Sequence, residues 1–192
     1  IAQRQSGEIA SYRLVNGRGA RFRRPDPIAT EPFIAIADLD GGGQWADINL
    51  AAPITCEAIE SLYQEQVIED ELVVWDERIG AVRASCRRSL GSVILSEVAL
   101  SKPDEQSLVH ALLQGISKVG IHILNIPPEL QQWRSRVMWV HRIEAPHSDW
   151  PDLADKALLT TLDQWLGPYL AGITTLDRVK RLDVTVPLHA LL

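Results

Sequence analysis

The chain has 192 residues, enough for one large domain or two small ones, and its 46% hydrophobic and 23% charged content excludes disorder and low complexity. A net charge of −6 weighs against a uniformly basic, polyanion-binding surface, and two cysteines thirty positions apart, Cys56 and Cys86, exclude a zinc ribbon or a disulfide scaffold. No apolar run reaches the roughly 20 residues that cross a bilayer, so the expected setting is reduced and cytoplasmic, with no membrane partner.

The chain opens Ile1-Ala2-Gln3-Arg4, which reads as text from within a longer protein. The first hundred residues read as β. Tyr12-Arg13-Leu14-Val15 alternates and runs into Asn16-Gly17, so 12–15 and 18–23 are expected to pair as a hairpin with both turn residues at positive φ. Phe33 to Ala37 is an apolar strand, Asp38 to Gly43 a turn. Trp45, Asp47 and Asn49 then alternate with Ala46, Ile48 and Leu50 in a half-buried strand. Pro53 punctuates. Thr55 suits an N-cap, and Ala58, Ile59, Leu62 and Gln66 follow at helical spacing, which predicts a helix over 55–68. Strands resume at 72–76, 81–87 and 92–99.

A helix after the third main strand of a small Greek-key barrel is the order of an OB-fold. The Asn-Gly hairpin and the 92–99 run are then additions to it, and an open mixed sheet is the alternative. From Pro103 the text turns helical. Leu108, Leu112, Ile116 and Val119 form one stripe; Leu130, Trp133, Val137 and His141 form another. Leu158, Leu159, Leu162, Trp165 and Leu166 form a third, stopped at Gly167-Pro168. Short helices are expected at 175–183 and 187–192. The fold class is therefore α+β, an OB-fold-like β-barrel with one inserted helix over 1–101, then a small helical domain over 102–192.

Motifs for chemistry are missing. There is no phosphate-cradling GxxxxGK[ST], no GxGxxG after a strand, no HExxH and no GxSxG. Asp38-x-Asp40-Gly41 resembles the start of a calcium loop, but Asn49 stands where a bidentate Glu is needed. The five histidines, at 110, 122, 141, 147 and 189, have no ligand spacing, and Cys86 alternates with Val82 and Ala84 as a small core residue would. No catalytic residue, metal or cofactor is assigned to this chain. Trp45 and Trp75 fall in the β half and have the chemistry to stack on bases, though packing within the barrel is the plainer reading.

Charge is distributed unevenly. Residues 1–25 hold six arginines against one acid, residues 26–77 hold thirteen acids and no Lys or Arg, and residues 78–91 hold four arginines and no acid. Alternation places Arg13, Arg21 and Arg23 opposite the apolar residues of their strands, and Arg83 and Arg87 opposite Val82, Ala84 and Cys86. With Arg18 and Arg88 these are the candidate phosphate contacts, since the guanidinium fork suits phosphate. The other reading is a solvated face whose arginines pair with the acids of 26–77. From 92 onward nine basic and eleven acidic residues nearly balance, so the nucleic-acid reading is confined to the β half.

Three segments carry a family resemblance: Tyr12-Arg13-Leu14-Val15-Asn16-Gly17-Arg18-Gly19-Ala20, Glu31 through Asp40, and Trp150-Pro151-Asp152-Leu153-Ala154-Asp155 with Trp165-Leu166-Gly167-Pro168-Tyr169-Leu170-Ala171-Gly172. They resemble the C-terminal region of bacterial HrpB-type ATP-dependent helicases, relatives of the DEAH-box RNA helicases. The resemblance implies two upstream RecA-like domains that bind ATP and magnesium and unwind, followed by a helical region and an OB-fold-like domain across the nucleic-acid channel. The expected role is therefore non-catalytic. The expected partners are single-stranded nucleic acid, RNA by the resemblance, the upstream helicase core and a regulatory protein docked on the barrel. The alternative is a protein-interaction module with no nucleic acid of its own.

Overall fold

The computed structural model describes residues 1–7, 11–41, 45–144 and 149–192. The Gly42-Gly43 part of the expected turn and His147 lie outside the described residues. Two compact units are formed: Ile1–Glu71 with Ser85–Ala99, and Leu72–Ala84 with Leu100–Leu192.

In the first unit five strands close a barrel: β1 (Ala2–Arg4), β2 (Ser11–Leu14), β3 (Gly19–Phe22), β4 (Phe33–Asp40) and β5 (Trp45–Pro53), in the order β1-β2-β3-β5-β4. Closure comes from an antiparallel β1/β4 pair and a parallel β3/β5 pair. Strand alternation sends Ala2, Tyr12, Leu14, Ala20, Ile34, Ala46 and Ile48 into the core. Three alanines are interleaved with larger residues, among them Tyr12, which is fully buried and edge-on to Phe22. A buried tyrosine needs a partner for its hydroxyl. Here the hydroxyl lies 3.0 Å from the carbonyl oxygens of both Ile28 and Glu31, and so ties the short 3-10 turn Pro27–Thr30 to the barrel.

The barrel departs from its sequence expectation in membership. The Asn-Gly hairpin is no addition: it supplies β2 and β3, and β1 is too short at three residues to show an alternation. The strands after the helix do not close the barrel. β6 (Val67–Asp76), β7 (Ala81–Leu90) and β8 (Val93–Ala99) form a separate three-stranded sheet, with β7 and β8 antiparallel. β6 and β7 each divide between the two units, changing over at Glu71/Leu72 and Ala84/Ser85. The hairpin turn also differs. Gly17 alone has positive φ, +85°, while its N–H donates to Leu14 O and the Leu14 N–H to Arg18 O. That is a three-residue connection ending on a left-handed glycine rather than a two-residue turn.

The predicted helix is shorter than its pattern. α1 spans Cys56–Leu62, capped by Thr55, whose hydroxyl accepts from Ala58 N at 3.2 Å. Gln66 falls beyond it, in a turn where its N–H donates to the Tyr63 carbonyl at 2.8 Å before β6 begins. Ile59 of α1 is buried with Leu90, Val93 and Leu95. Cys86 is not in the core; its thiol donates to the Glu69 carboxylate, and that bond raises the thiol pKa.

The second unit follows the predicted stripes closely. α2 (Glu105–Val119) buries Leu112 and Ile116, and α3 (Pro128–Glu144) buries Leu130 and Val137. The third stripe is broken into α4 (Asp155–Thr160) and α5 (Leu162–Trp165), yet Leu158, Leu162, Trp165 and Leu166 are all buried. α6 (Leu176–Val179) and α7 (Thr185–His189) complete one apolar core. The architecture is thus α+β, a closed barrel followed by a helical region. Among the described residues no helix is long and apolar enough to cross a membrane.

Candidate nucleic-acid interface

Strand register places four residues in one row across the barrel's outer surface: Gln3, Arg13, Gly19 and Trp45. Gln3 is committed to structure, its amide exchanging two hydrogen bonds with the backbone of Ile94. Arg13 is exposed and has no carboxylate partner among the described residues. Trp45 remains 46% exposed on the outside of the barrel. Its indole lies against Gly19 so closely that a Cβ there would meet Trp45 Cε3 and Cζ3 at 2.7 Å. Glycine at 19 is therefore what lets the ring lie across β3.

Next to this row is a cavity of about 430 Å³ lined by Gln5, Arg13, Gly17, Arg18, Gly19 and Trp45, with the edge of Tyr12. Arg18 is held at its rim, donating to the Gly41 carbonyl at 3.3 Å. The arrangement pairs an exposed aromatic face with two guanidinium groups beside an open concavity. That suits a base stacked on the indole and its phosphates on the arginines.

The remaining candidate arginines are held differently. Arg23 Nε donates to Asp47 at 2.7 Å, with Asp40 at 3.8 Å and Arg21 on Asp47 at 3.7 Å. The Asp47 hydrogen bond raises the Arg23 pKa further above its ordinary value. Arg88 sits 2.7 Å from Glu60 and 3.7 Å from Glu69, and Arg87 sits 3.1 Å from Glu97. Arg83 belongs to the other compact unit, 3.6 Å from Asp76. All but one of these acids come from the 26–77 block. The structure therefore brings Arg13 and Arg18 together at the cavity and engages Arg21, Arg23, Arg83, Arg87 and Arg88 with carboxylates.

Trp45 is the residue whose role the sequence left open. The signal was its alternation with Asp47 and Asn49, which put it on the polar face of β5. Trp75 is different: its ring packs on Gly115 of α2. No three His, Cys, Asp or Glu side chains stand together as a metal site among the described residues. His110 contacts Gln114, and His141 Nδ1 lies 2.7 Å from the Trp150 carbonyl.

Residues 66–100 match the family model for the connector region of the ATP-dependent RNA helicase HrpB. The ATP-dependent RNA helicase HrpB of Escherichia coli strain K12 is 30% identical over 191 residues, 98% of this chain. The chain is similar to a stretch of HrpB. That stretch is 24% of the relative, so the chain spans about a quarter of the curated protein it matches. Two solved structures are similar across 100% of this chain and 24% of their own. They are the E. coli DExH-box NTPase HrpB, 30% identical with a TM-score of 0.47, and the E. coli DEAH/RHA helicase HrpB, 28% identical with a TM-score of 0.46. The HrpB resemblance carried by 12–20, 31–40 and 150–172 is borne out. The connector match covers β6 to β8, with neither the barrel cavity nor the helices.

Proposed function

We propose that this chain is the non-catalytic accessory part of an ATP-dependent RNA helicase, and that its barrel binds single-stranded RNA at the Trp45 cavity. The observation that carries this reading is the close seating of an exposed Trp45 on Gly19 beside Arg13 and Arg18. A strand order of β1-β2-β3-β5-β4 supports reading the barrel as an OB-fold, whose β2–β3 face is the usual oligonucleotide platform. RNA is preferred over DNA on the names of the relatives. ATP and magnesium belong to parts of the helicase outside this chain, whose setting is the cytoplasm and whose partners are the helicase core and RNA.

The test is a titration of the 192-residue chain with labelled oligouridylate at several salt concentrations. Trp45→Ala should weaken binding about tenfold, the loss of one stacked base. Arg21→Ala with Arg23→Ala should change it far less, because both guanidinium groups are already occupied by Asp47 and Asp40. Undetectable binding at 50 mM salt, or affinity indifferent to Trp45, overturns the proposal.

A second reading has its own support. Among the described residues, Arg21, Arg23, Arg87 and Arg88 of the first unit are each engaged with carboxylates, as a protein-docking face with an internally balanced charge would have them. On that reading the chain docks on the helicase core or a regulatory protein. Capture by the isolated core without RNA affinity is its signature.

A further inference from the structure

The solvent face of α3 carries an exposed tryptophan between two exposed arginines. One side of this helix is inward: Leu130 and Val137 are buried, and Trp133, Arg134 and His141 are half-buried. The opposite side is an unbroken exposed stripe at helical spacing, Gln132, Ser135, Arg136, Trp139, Arg142 and Ile143. Trp139 is 65% exposed and Ile143, one turn on, is 61% exposed. A solvated helix face has no use for an exposed tryptophan and isoleucine one turn apart, and exposed apolar side chains grouped in this way mark binding surfaces.

Charge selects the occupant. Arg136 and Arg142 stand three residues before and after Trp139, the spacing at which helix side chains are neighbours. No carboxylate reaches either one among the described residues, and the stripe contains no acid. Arg134, on the inward edge, is by contrast consumed by structure: Nε donates to Leu153 O at 2.6 Å and a terminal nitrogen to Asp155 at 2.5 Å. The near-balance of charge over 92–192 thus hides a stripe that is purely cationic. Burying it against an ordinary protein surface would leave two guanidinium groups to be matched, whereas a polyanion matches both. Arg136 and Arg142 are about 9 Å apart along the helix axis. Two long side chains at that distance can hold the phosphates on either side of one stacked nucleotide.

We infer that α3 is a second single-stranded nucleic-acid contact, with a base on the Trp139 indole and phosphates on Arg136 and Arg142. It is independent of the Trp45 cavity, and either site can fail alone.

The experiment is photo-cross-linking of the 192-residue chain to an oligouridylate carrying 5-iodouridine, with cross-linked peptides read by mass spectrometry. Fragmentation of the cross-linked peptides assigns each adduct to its residue, so Trp139 and Trp45 have separate readouts. The expected result is cross-linking at Trp139 that falls at least fivefold in Arg136→Gln with Arg142→Gln, while the Trp45 yield is unchanged. Both arginines are exposed, so the variant keeps the fold. Absence of a Trp139 cross-link, or a yield indifferent to the two arginines, overturns the inference. So does Trp139-dependent capture of a helicase core without any cross-link, which would assign the face to protein. Loss of the Trp45 cross-link alone would count against the barrel proposal and leave α3 standing.

Discussion

Gly115 sits in the interior of α2, where glycine costs about 1 kcal/mol relative to alanine. The site is buried, and a Cβ there would meet Trp75 Cδ2 at 2.4 Å. Two opposed effects therefore act on Gly115→Ala. Helix propensity stabilises by about 1 kcal/mol, and overpacking against a ring costs about 1–3 kcal/mol. Trp75 has little freedom to yield because it is packed against the helical core. Overpacking wins, and Gly115→Ala should destabilise the chain by about 1 kcal/mol net in a thermal melt. A variant as stable as the parent would mean that the indole shifts freely. Gly19 makes the same provision for Trp45, but there the ring is exposed, so on the proposed reading the consequence falls on binding rather than on stability.

At the scale of elements, helix ends carry the pH dependence. Asp104 caps α2: its carboxylate accepts from Ser107 N at 2.8 Å and from Ser107 Oγ at 2.9 Å. The backbone bond first, then the hydroxyl, hold its pKa below the ordinary carboxylate value. A depressed folded pKa means the stabilisation is fully present above the unfolded pKa, about 4, and is lost as pH falls through the lower folded value. Glu57 at the start of α1 and Asp183 before α7 are lowered in the same direction. Asp104→Asn keeps a capping oxygen without the charge. Its melting temperature should fall less than the parent's between about pH 5 and pH 3, the range that brackets the unfolded carboxylate. Equal acid sensitivity in the two chains would remove Asp104 from this role.

The caps and stripes behind these elements were legible in the sequence: Thr55 caps α1, and Leu130, Trp133, Val137 and His141 do face inward on α3. Barrel membership was not, because periodicity reports which side of a strand is apolar and says nothing of its neighbour. The parallel β3/β5 pair that closes the barrel leaves no local mark. For the same reason the arginine blocks were visible but their partners were not. Asp47 reaches Arg21 and Arg23 across that non-local pair, and Glu60 reaches Arg88 from α1. Trp45 was legible in side but not in exposure, since only the three-dimensional pairing with Gly19 shows the ring lying on the outside.

Over the whole molecule, net charge and local patch oppose each other. A charge of −6 acting on an oligonucleotide with about five phosphates at a mean distance of about 20 Å costs about 3 kcal/mol at 10 mM salt, where the Debye length is about 30 Å. At 0.1 M the Debye length is about 10 Å and the cost drops to about 0.8 kcal/mol. Salt therefore relieves about 2 kcal/mol of repulsion over that decade. Two phosphates neutralised at one arginine pair lose about 2 kcal/mol of counterion-release free energy over the same decade, from a slope of about −1.4 for single strands. The two effects cancel. Affinity for a six-nucleotide strand should thus be nearly independent of salt from 10 to 100 mM. Above 0.1 M, where the long-range field is screened, it should fall with a slope of about −1.4. A straight line of that slope across the whole range would mean that the acidic block at 26–77 exerts no field on the ligand. Its acids would then be neutralised locally, through pairs such as Asp47 with Arg23 and Glu60 with Arg88.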